Sequence, residues 1–189
     1  MDLNEILSKK NQITALRNEL RSEMAAQNGS DDELLVDVNV VQLVSFSIDQ
    51  IEYGVAILAV HDIIMMPELT RLPNTPDFIK GVINLRGNVI PVVDVRRRFG
   101  FHISEIKESS RIIVIEISEK LIGLMVDAVN QVVRIPESNI SPPSEMIDGV
   151  SETFIEGIGR MKDRLIIMLR LSTDIFLEKK IEDLDQIVV

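Results

Sequence analysis

A segment that occurs twice constrains this chain more than any other feature. Residues 78–95 read FIKGVINLRGNVIPVVDV, and residues 154–171 read FIEGIGRMKDRLIIMLRL. Set 76 residues apart, the copies match Phe78 with Phe154, Ile79 with Ile155, Gly81 with Gly157 and Ile90 with Ile166. Apolar residues also oppose apolar ones at Val82/Ile158, Leu85/Met161, Val89/Leu165, Val92/Met168, Val93/Leu169 and Val95/Leu171. A short polar break, Arg86-Gly87-Asn88 or Lys162-Asp163-Arg164, divides each copy into two apolar runs, the pattern of a tight β-hairpin. A second echo lies upstream, where FSIDQIEYGVAILAVHDII (46–64) matches IEISEKLIGLMVDAVNQVV (115–133) at an offset of 69. It sets Gly54 over Gly123, Ala59 over Ala128 and Val60 over Val129. The two offsets differ by seven residues, which an insertion before the second hairpin absorbs. Such a chain folds as two copies of one β unit.

The rest of the pattern agrees with an all-β core. Val44, Phe46 and Ile48 alternate with Ser45, Ser47 and Asp49, giving a strand with one buried and one wet face. Tyr53 to Met66 reads as a continuing strand, and Pro73 and Pro76 make 68–76 an extended loop. After the first hairpin come a loop from Gly100 to Ser110, strands over 111–117 and 123–134, a second Pro-rich connection and the second hairpin. About ten short strands in two similar sets suggest two small barrels, because a closed sheet leaves no exposed edge. A single two-sheet sandwich is the alternative. Asp2 with Glu5 caps a predicted helix over 2–26, and AAQNGSDDE (25–33) reads as a solvated linker. A short helix is predicted over Thr173–Leu184. The expected organisation is a helical extension and linker (1–37), a β domain of two subdomains (38–178) and an acidic tail (179–189).

Composition narrows the function. Of 189 residues 46% are apolar but only 4% aromatic, so the core is expected to be aliphatic. With no cysteine there is no thiol catalysis and no disulfide, which fits a reducing cytoplasm. The first segment, MDLNEILSKK, carries acids where a secretion signal needs bases, and the apolar runs are strand-sized. A net charge of −10 disfavours broad nucleic-acid binding, which rests on clustered Lys and Arg.

Candidate chemistry is sparse. His61 and His102 have no ligand spacing around them and read as surface residues rather than metal ligands. Asp94 and Asp127 each follow an apolar run; they are either an acid/base pair or strand-end carboxylates that accept backbone N–H bonds. Arg96-Arg97-Arg98 is either an anion site or a solvated strand end. A binding role has more support. Arg86 sits at a hairpin tip between Leu85 and Gly87, and Asp62 interrupts the apolar stretch around Val60 and Ile63. An Arg and an Asp beside apolar patches suit a protein interface, in which aliphatic side chains anchor and the polar pair orients.

The strings GVAILAVHDI, TRLPNTPDFIKGVINLRGNVIPVVDVRRRFG, GLMVDAVNQVV and FIEGIGRMKDRLIIML resemble the CheW-like chemotaxis adaptor family over about residues 40–178. The resemblance implies two intertwined five-stranded SH3-like barrels around a shared core, with no catalysis and no cofactor. Such cytoplasmic proteins couple the tips of membrane chemoreceptors to the CheA histidine kinase in arrays. Carried over by position, the receptor groove would involve Val60, Asp62, Gly81, Arg86, Gly123, Val129 and Val132. A helical receptor hairpin would lie on Val60, Val129 and Val132, with Asp62 and Arg86 paired across the groove. Kinase contacts would use Ile57 and Leu58 on the first barrel and Glu145 and Met146 on the second. The chain departs from the family pattern in carrying Asp62 where relatives commonly have Glu. It also has a long N-terminal extension, and Arg170 where an acid or polar residue is usual.

Overall fold

The computed structural model describes residues 39–143, 150–162 and 164–177, all within the unit Asn39–Val189. The predicted helix over 2–26, Glu145, Met146 and the chain beyond residue 177 lie outside the described residues. The strands are β1 (Val40–Ile48), β2 (Ile51–Ala56), β3 (Val60–Met65), β4 (Ile79–Leu85), β5 (Asn88–Asp94) and β6 (Arg111–Ile117). They continue as β7 (Lys120–Val126), β8 (Ala128–Pro136), β9 (Ile140–Ser141), β10 (Ile155–Met161) and β11 (Arg164–Leu169). Two helical turns accompany them, α1 (Val95–Arg98) and α2 (Thr173–Phe176).

Two mixed sheets result. The first has the order β8-β1-β2-β11-β10-β9 and the second β3-β6-β7-β5-β4. With β9 set aside, exchanging each strand for its repeat partner (β1 for β6, β2 for β7, β3 for β8, β4 for β10, β5 for β11) turns one order into the other. Each sheet therefore draws strands from both copies, and the copies interleave. The parallel pairs carry both offsets at once: Met168 faces Gly54 in the first sheet, and Val92 faces Gly123 in the second. Even the irregularities are duplicated. An extra residue bulges out at His61 in β3 and at Asn130 in β8, 69 apart, and at Lys80 in β4 and Glu156 in β10, 76 apart.

Two expected strands are broken. Tyr53–Met66 is interrupted by a 3-10 turn at Ile57–Ala59, and the strand expected over 123–134 is interrupted at Asp127. Each break falls where the chain leaves one sheet for the other, a crossing that needs a corner and that apolar periodicity does not reveal. Arg96, Arg97 and Arg98 also depart from expectation. They form a helical turn, capped where the Asp94 side chain accepts from the Arg97 N–H at 3.3 Å.

Both sheets curl. Only Glu137–Asn139 separates β8 from β9, so the outer members of the first sheet are one bent segment. Thr70, shortly after β3, bridges Val82 of β4 and brings the margins of the second sheet together in the same way. Each sheet encloses its own cluster, Leu43, Val133, Ile135, Ile166 and Met168 in one and Ile83, Ile90, Val92, Ile112 and Val114 in the other. Leu43/Ile112, Ile166/Ile90 and Met168/Val92 are repeat partners. A larger cluster, including Val44, Phe46, Tyr53, Val55, Ile113, Ile115 and Phe176, is shared between the sheets.

The core is not purely aliphatic. All seven aromatic residues lie in or against the shared core, with ring centres of Phe46, Tyr53, Phe99 and Phe154 following one another at 6.0, 5.7 and 4.9 Å. Rings are rare in this chain, and they gather in the shared core while the clusters inside each sheet are aliphatic apart from Met. Arg98 stands over two repeat-related rings, 4.5 Å from the centre of Phe78 and 5.1 Å from that of Phe154. Its Nε donates to the Ile175 carbonyl at 2.6 Å, so one residue serves both copies.

Candidate protein-binding groove

The edge strands β3 and β8 are repeat partners, and they carry most of the residues expected at the groove. Val60 and Val129 are both half-buried and both lean on the shared core. Beyond them lie the bulges at His61 and Asn130, which re-aim the side chains that follow. Val132, opposite Val44 of β1, is 55% exposed. Asp62 lies within 3.5 Å of the Arg86 guanidinium, Oδ2 to Nη2.

Arg86 reaches Asp62 from a two-residue turn. Leu85 pairs with Asn88, and Arg86 and Gly87 take φ of 55° and 93°, which matches the twist of the flanking strands. Asn84 Oδ1 accepts from the Gly87 N–H at 2.9 Å and fixes the turn. The ion pair spans the two margins of the second sheet. With Arg86 76% exposed, it contributes only a few tenths of a kcal/mol to about 1 kcal/mol. Its consequence is placement: Asp62 Oδ1 also accepts from the Ile63 N–H at 2.8 Å, so the carboxylate is held from two sides.

The two glycines expected at the groove act through packing. A Cβ at Gly81 would lie 2.4 Å from the Thr70 carbonyl oxygen, and one at Gly123 would lie 2.8 Å from Ile112 Cγ2. They let β4 approach the Thr70 segment and β7 approach β6. Ile57 and Leu58 sit in the turn between β2 and β3. Ile57 packs on the shared core, and Leu58 is 98% exposed.

Asp94 and Asp127 are occupied by structural partners. Asp94 caps α1 and lies 3.4 Å from Arg97 Nε. Asp127 accepts from Arg96 Nη2 at 2.6 Å and Nε at 2.8 Å, and from the Asp49 N–H at 2.7 Å. Burial pushes the Asp127 carboxyl up, but the bonds from Arg96 and Asp49, with the charges of Arg96 and Lys107, outweigh it and hold it below the usual carboxylate range. The cleft beside these two aspartates has room for about 20 Å³, enough for about one water. A wider, open cleft of about 200 Å³ is lined by residues including Arg71, Thr75, Asp77, Lys80 and Arg97. Among the described residues no three His, Cys, Asp or Glu are grouped to hold a metal ion, and no helix is long and apolar enough to cross a membrane.

Three polar arrangements went unread in the sequence: Arg96 with Asp127 and Asp49, Arg98 between Phe78 and Phe154, and Arg164 with Gln131 and Glu52. In the last, Arg164 Nη1 lies 3.5 Å from Glu52 Oε2. Gln131, its amide oxygen turned toward the guanidinium, accepts from both Nη1 and Nη2 at 2.9 Å. The alignment already set Gln131 over Asp62 at the offset of 69, which was the available signal. Arg170 matches Asp94 at the offset of 76. Each donates its backbone N–H to the repeat-related carbonyl of Phe154 or Phe78, and the Arg170 side chain donates to the Ile155 carbonyl at 3.1 Å.

The fold defines the class: a duplicated, interleaved β domain with half-buried and exposed valines along two repeat-related edge strands. The CheW-like domain family model matches residues 42–173. The chemotaxis protein CheW of Helicobacter pylori is 32% identical over 163 residues, covering 86% of this chain and 94% of the relative. That of Bacillus subtilis is 34% identical over 125 residues, covering 66% and 80%. The crystal structure of the scaffolding protein TtCheW from Thermoanaerobacter tengcongensis superposes with a TM-score of 0.69 at 39% identity, over 74% of this chain and 94% of that one. The chain belongs to the CheW-like domain family.

Proposed function

We propose that this protein is a non-catalytic chemotaxis scaffold that couples chemoreceptor tips to the CheA histidine kinase. The observation that carries the reading is the placement of Val60, Val129 and Val132 on the repeat-related edge strands β3 and β8, with the Asp62–Arg86 pair close to Val60 in sequence. A helix laid on those valines would bury them while its polar groups meet the pair. On this reading the two curled sheets are interleaved SH3-like barrels within residues 38–178. The protein works in the cytoplasm and is recruited to receptor arrays. Ile57 and the exposed Leu58 would meet the kinase regulatory domain, with Glu145 and Met146 as a second kinase contact. Receptor state would then bias kinase contacts on other faces, a coupling free energy between sites.

Titration with a cognate chemoreceptor cytoplasmic fragment tests the groove. Val132→Glu places a charge on the apolar wall and is expected to weaken binding by about tenfold or more. Arg86→Ala is expected to weaken it by a smaller factor. If both variants bind like wild type, the groove assignment is wrong. Ile57→Asp should weaken binding of the kinase regulatory domain and leave fragment binding intact. In a reconstituted mixture the protein should change kinase autophosphorylation only when receptors are present; an equal change without them would remove the coupling role.

A further inference from the structure

The open cleft of about 200 Å³ lies between the loop after β3, the start of β4 and α1, and no residue assigned to receptor or kinase contact lines it. Three cations do, each from a different segment: Arg71 from the loop, Lys80 from β4 and Arg97 from α1. Asp77 is the one carboxylate among the lining residues. Three cations against one carboxylate leave the lining at +2, in a chain whose net charge is −10.

The cleft is set in place before any ligand arrives. Arg97 is held from two sides, with Nε 3.4 Å from Asp94 Oδ2 and Nη1 donating to the Asp77 carbonyl at 3.2 Å. Asp94 offsets part of the Arg97 charge, but Nη2 makes no hydrogen bond among the described residues. Arg71 and Lys80 have neither an ion pair nor a side-chain hydrogen bond among those residues. Lys80 is the half-buried residue that bulges out of β4, and a bulge re-aims the side chain it carries. Thr75 Oγ1 donates to the Leu72 carbonyl at 3.1 Å, and the Ile79 N–H donates to the Pro76 carbonyl at 2.9 Å. With Pro73 and Pro76 fixed in φ, the loop has little freedom left to lose on binding.

The duplicated fold does not account for these charges. At the offset of 76, Lys80 meets Glu156, Arg97 meets Thr173 and Asp77 meets Thr153. The bulge itself is kept at both 80 and 156, so the backbone is common to the copies while the cations belong to the first. We infer that this cleft binds a small oxyanion of the phosphate class, with Arg71, Lys80 and Arg97 as its charged ligands. A phosphoryl group brings a charge of about −1.5 to −2 and three acceptor oxygens, which suits cations arriving from three segments. The cleft is smaller than the about 300–1,000 Å³ of sites for drug-sized ligands, so it fits a small anion or the phosphoryl end of a larger molecule. Single exposed Lys and Arg are ordinary on protein surfaces. Here three share one concavity, two of them unpaired among the described residues. The inference is independent of the groove reading.

Calorimetric titration of the full chain with inorganic phosphate tests it, at about pH 8, where a phosphoryl group is doubly charged, and at constant ionic strength. Wild type is expected to bind saturably and to melt higher as phosphate rises. Lys80→Glu is expected to weaken phosphate binding at least about tenfold, and Arg71→Gln about threefold. Lys80→Glu should still fold, because the repeat-related bulge already carries Glu156. Arg160→Gln, which changes an exposed cation on β10, should bind phosphate like wild type. Phosphoserine forms a second arm. Affinity equal to that of phosphate assigns a phosphoryl group presented by a larger molecule, and its loss assigns the free anion. Acetate binding as tightly as phosphate would overturn the phosphate class. Unsaturable binding by wild type, or wild-type affinity in Lys80→Glu, would overturn the site. So would an equal rise in melting with chloride at the same ionic strength, because screening of the chain's net charge then accounts for it.

Discussion

Gly81→Ala should melt about 10 °C below wild type, a loss of about 3 kcal/mol for a domain of this size. Gly81 has φ of 149°, a region that L residues avoid, and its missing side chain faces backbone. The new Cβ would stand 2.4 Å from the Thr70 carbonyl oxygen, which accepts from the Val82 N–H at 2.8 Å; Thr70 N–H donates to the Val82 carbonyl at 3.0 Å. Both bonds would have to open, and they draw the margins of the second sheet together. Gly87→Ala is the control, because Gly87 has φ of 93° but nothing within 4 Å of its Cβ position. It should lose only the backbone strain, about 1 kcal/mol. Gly157, the repeat partner of Gly81, would place a Cβ 3.1 Å from the Ser141 carbonyl oxygen, and no positive φ adds strain there, so Gly157→Ala should cost less than Gly81→Ala. Calorimetric or circular-dichroism melts of the three variants decide it. Equal melting of Gly81→Ala and wild type would overturn the packing argument. Fragment binding by Gly81→Ala should fall with stability, because Arg86 rides on the same hairpin.

The duplication was legible because its strongest marks are local. Gly54 and Gly123 face residues of a parallel neighbour, and the turn residues sit between two apolar runs, so both features survive in the letters of each copy. Interleaving came only with the resemblance, since it depends on distant pairings such as Asp62 with Val114 and Val44 with Val132, which no local pattern encodes. The bulges were not legible. His61 and Asn130 are ordinary strand residues until the register around them is known. The apolar run ending in Asp94 masked the start of α1, whose turn depends on that carboxylate as its cap. For the groove, Val60, Val129 and Val132 came from resemblance and Arg86 from its place at a hairpin tip. Leu165 was aligned with Val89, but apolar identity alone does not distinguish buried residues from these two exposed ones.

The proposed groove bears on how a scaffold of this kind would transmit a signal. Val60 belongs to the second sheet and Val129 and Val132 to the first, and each sheet contains strands from both copies. A partner seated along the whole groove would load both sheets at once, and the shared core couples them through close packing. A contact at Ile57, whose side chain leans on that core between β2 and β3, is then mechanically connected to the groove. Allosteric coupling in this reading requires that such packing have two arrangements.

Asp127→Asn should cost about 2–3 kcal/mol at neutral pH and leave a domain whose stability no longer falls as steeply in acid. Asp127 joins the turn between β1 and β2, through the Asp49 N–H, to Arg96 of α1, and its own N–H donates to the Ser47 carbonyl at 3.1 Å. Arg96 is 12% exposed and Asp127 22% exposed, so solvent screens the pair only in part. Without the charge at 127, Arg96 keeps Asp49 at 3.2 Å and the His102 carbonyl at 3.1 Å, and loses its closest partner. The pH dependence follows from the direction of the shift. The Asp127 carboxyl is held below its unfolded value of about 3.9, so its contribution is complete above that pH and is lost as pH falls through the folded value. The melting-temperature gap between wild type and Asp127→Asn should therefore be full at pH 7 and narrow below about pH 4. A gap that stays constant down to pH 3 would show that the carboxylate is not the source. Asp127 also stands immediately before β8, where the chain crosses from one sheet to the other. Loosening that corner should displace the Val129–Val132 wall and weaken fragment binding by the variant at temperatures where the domain is still folded.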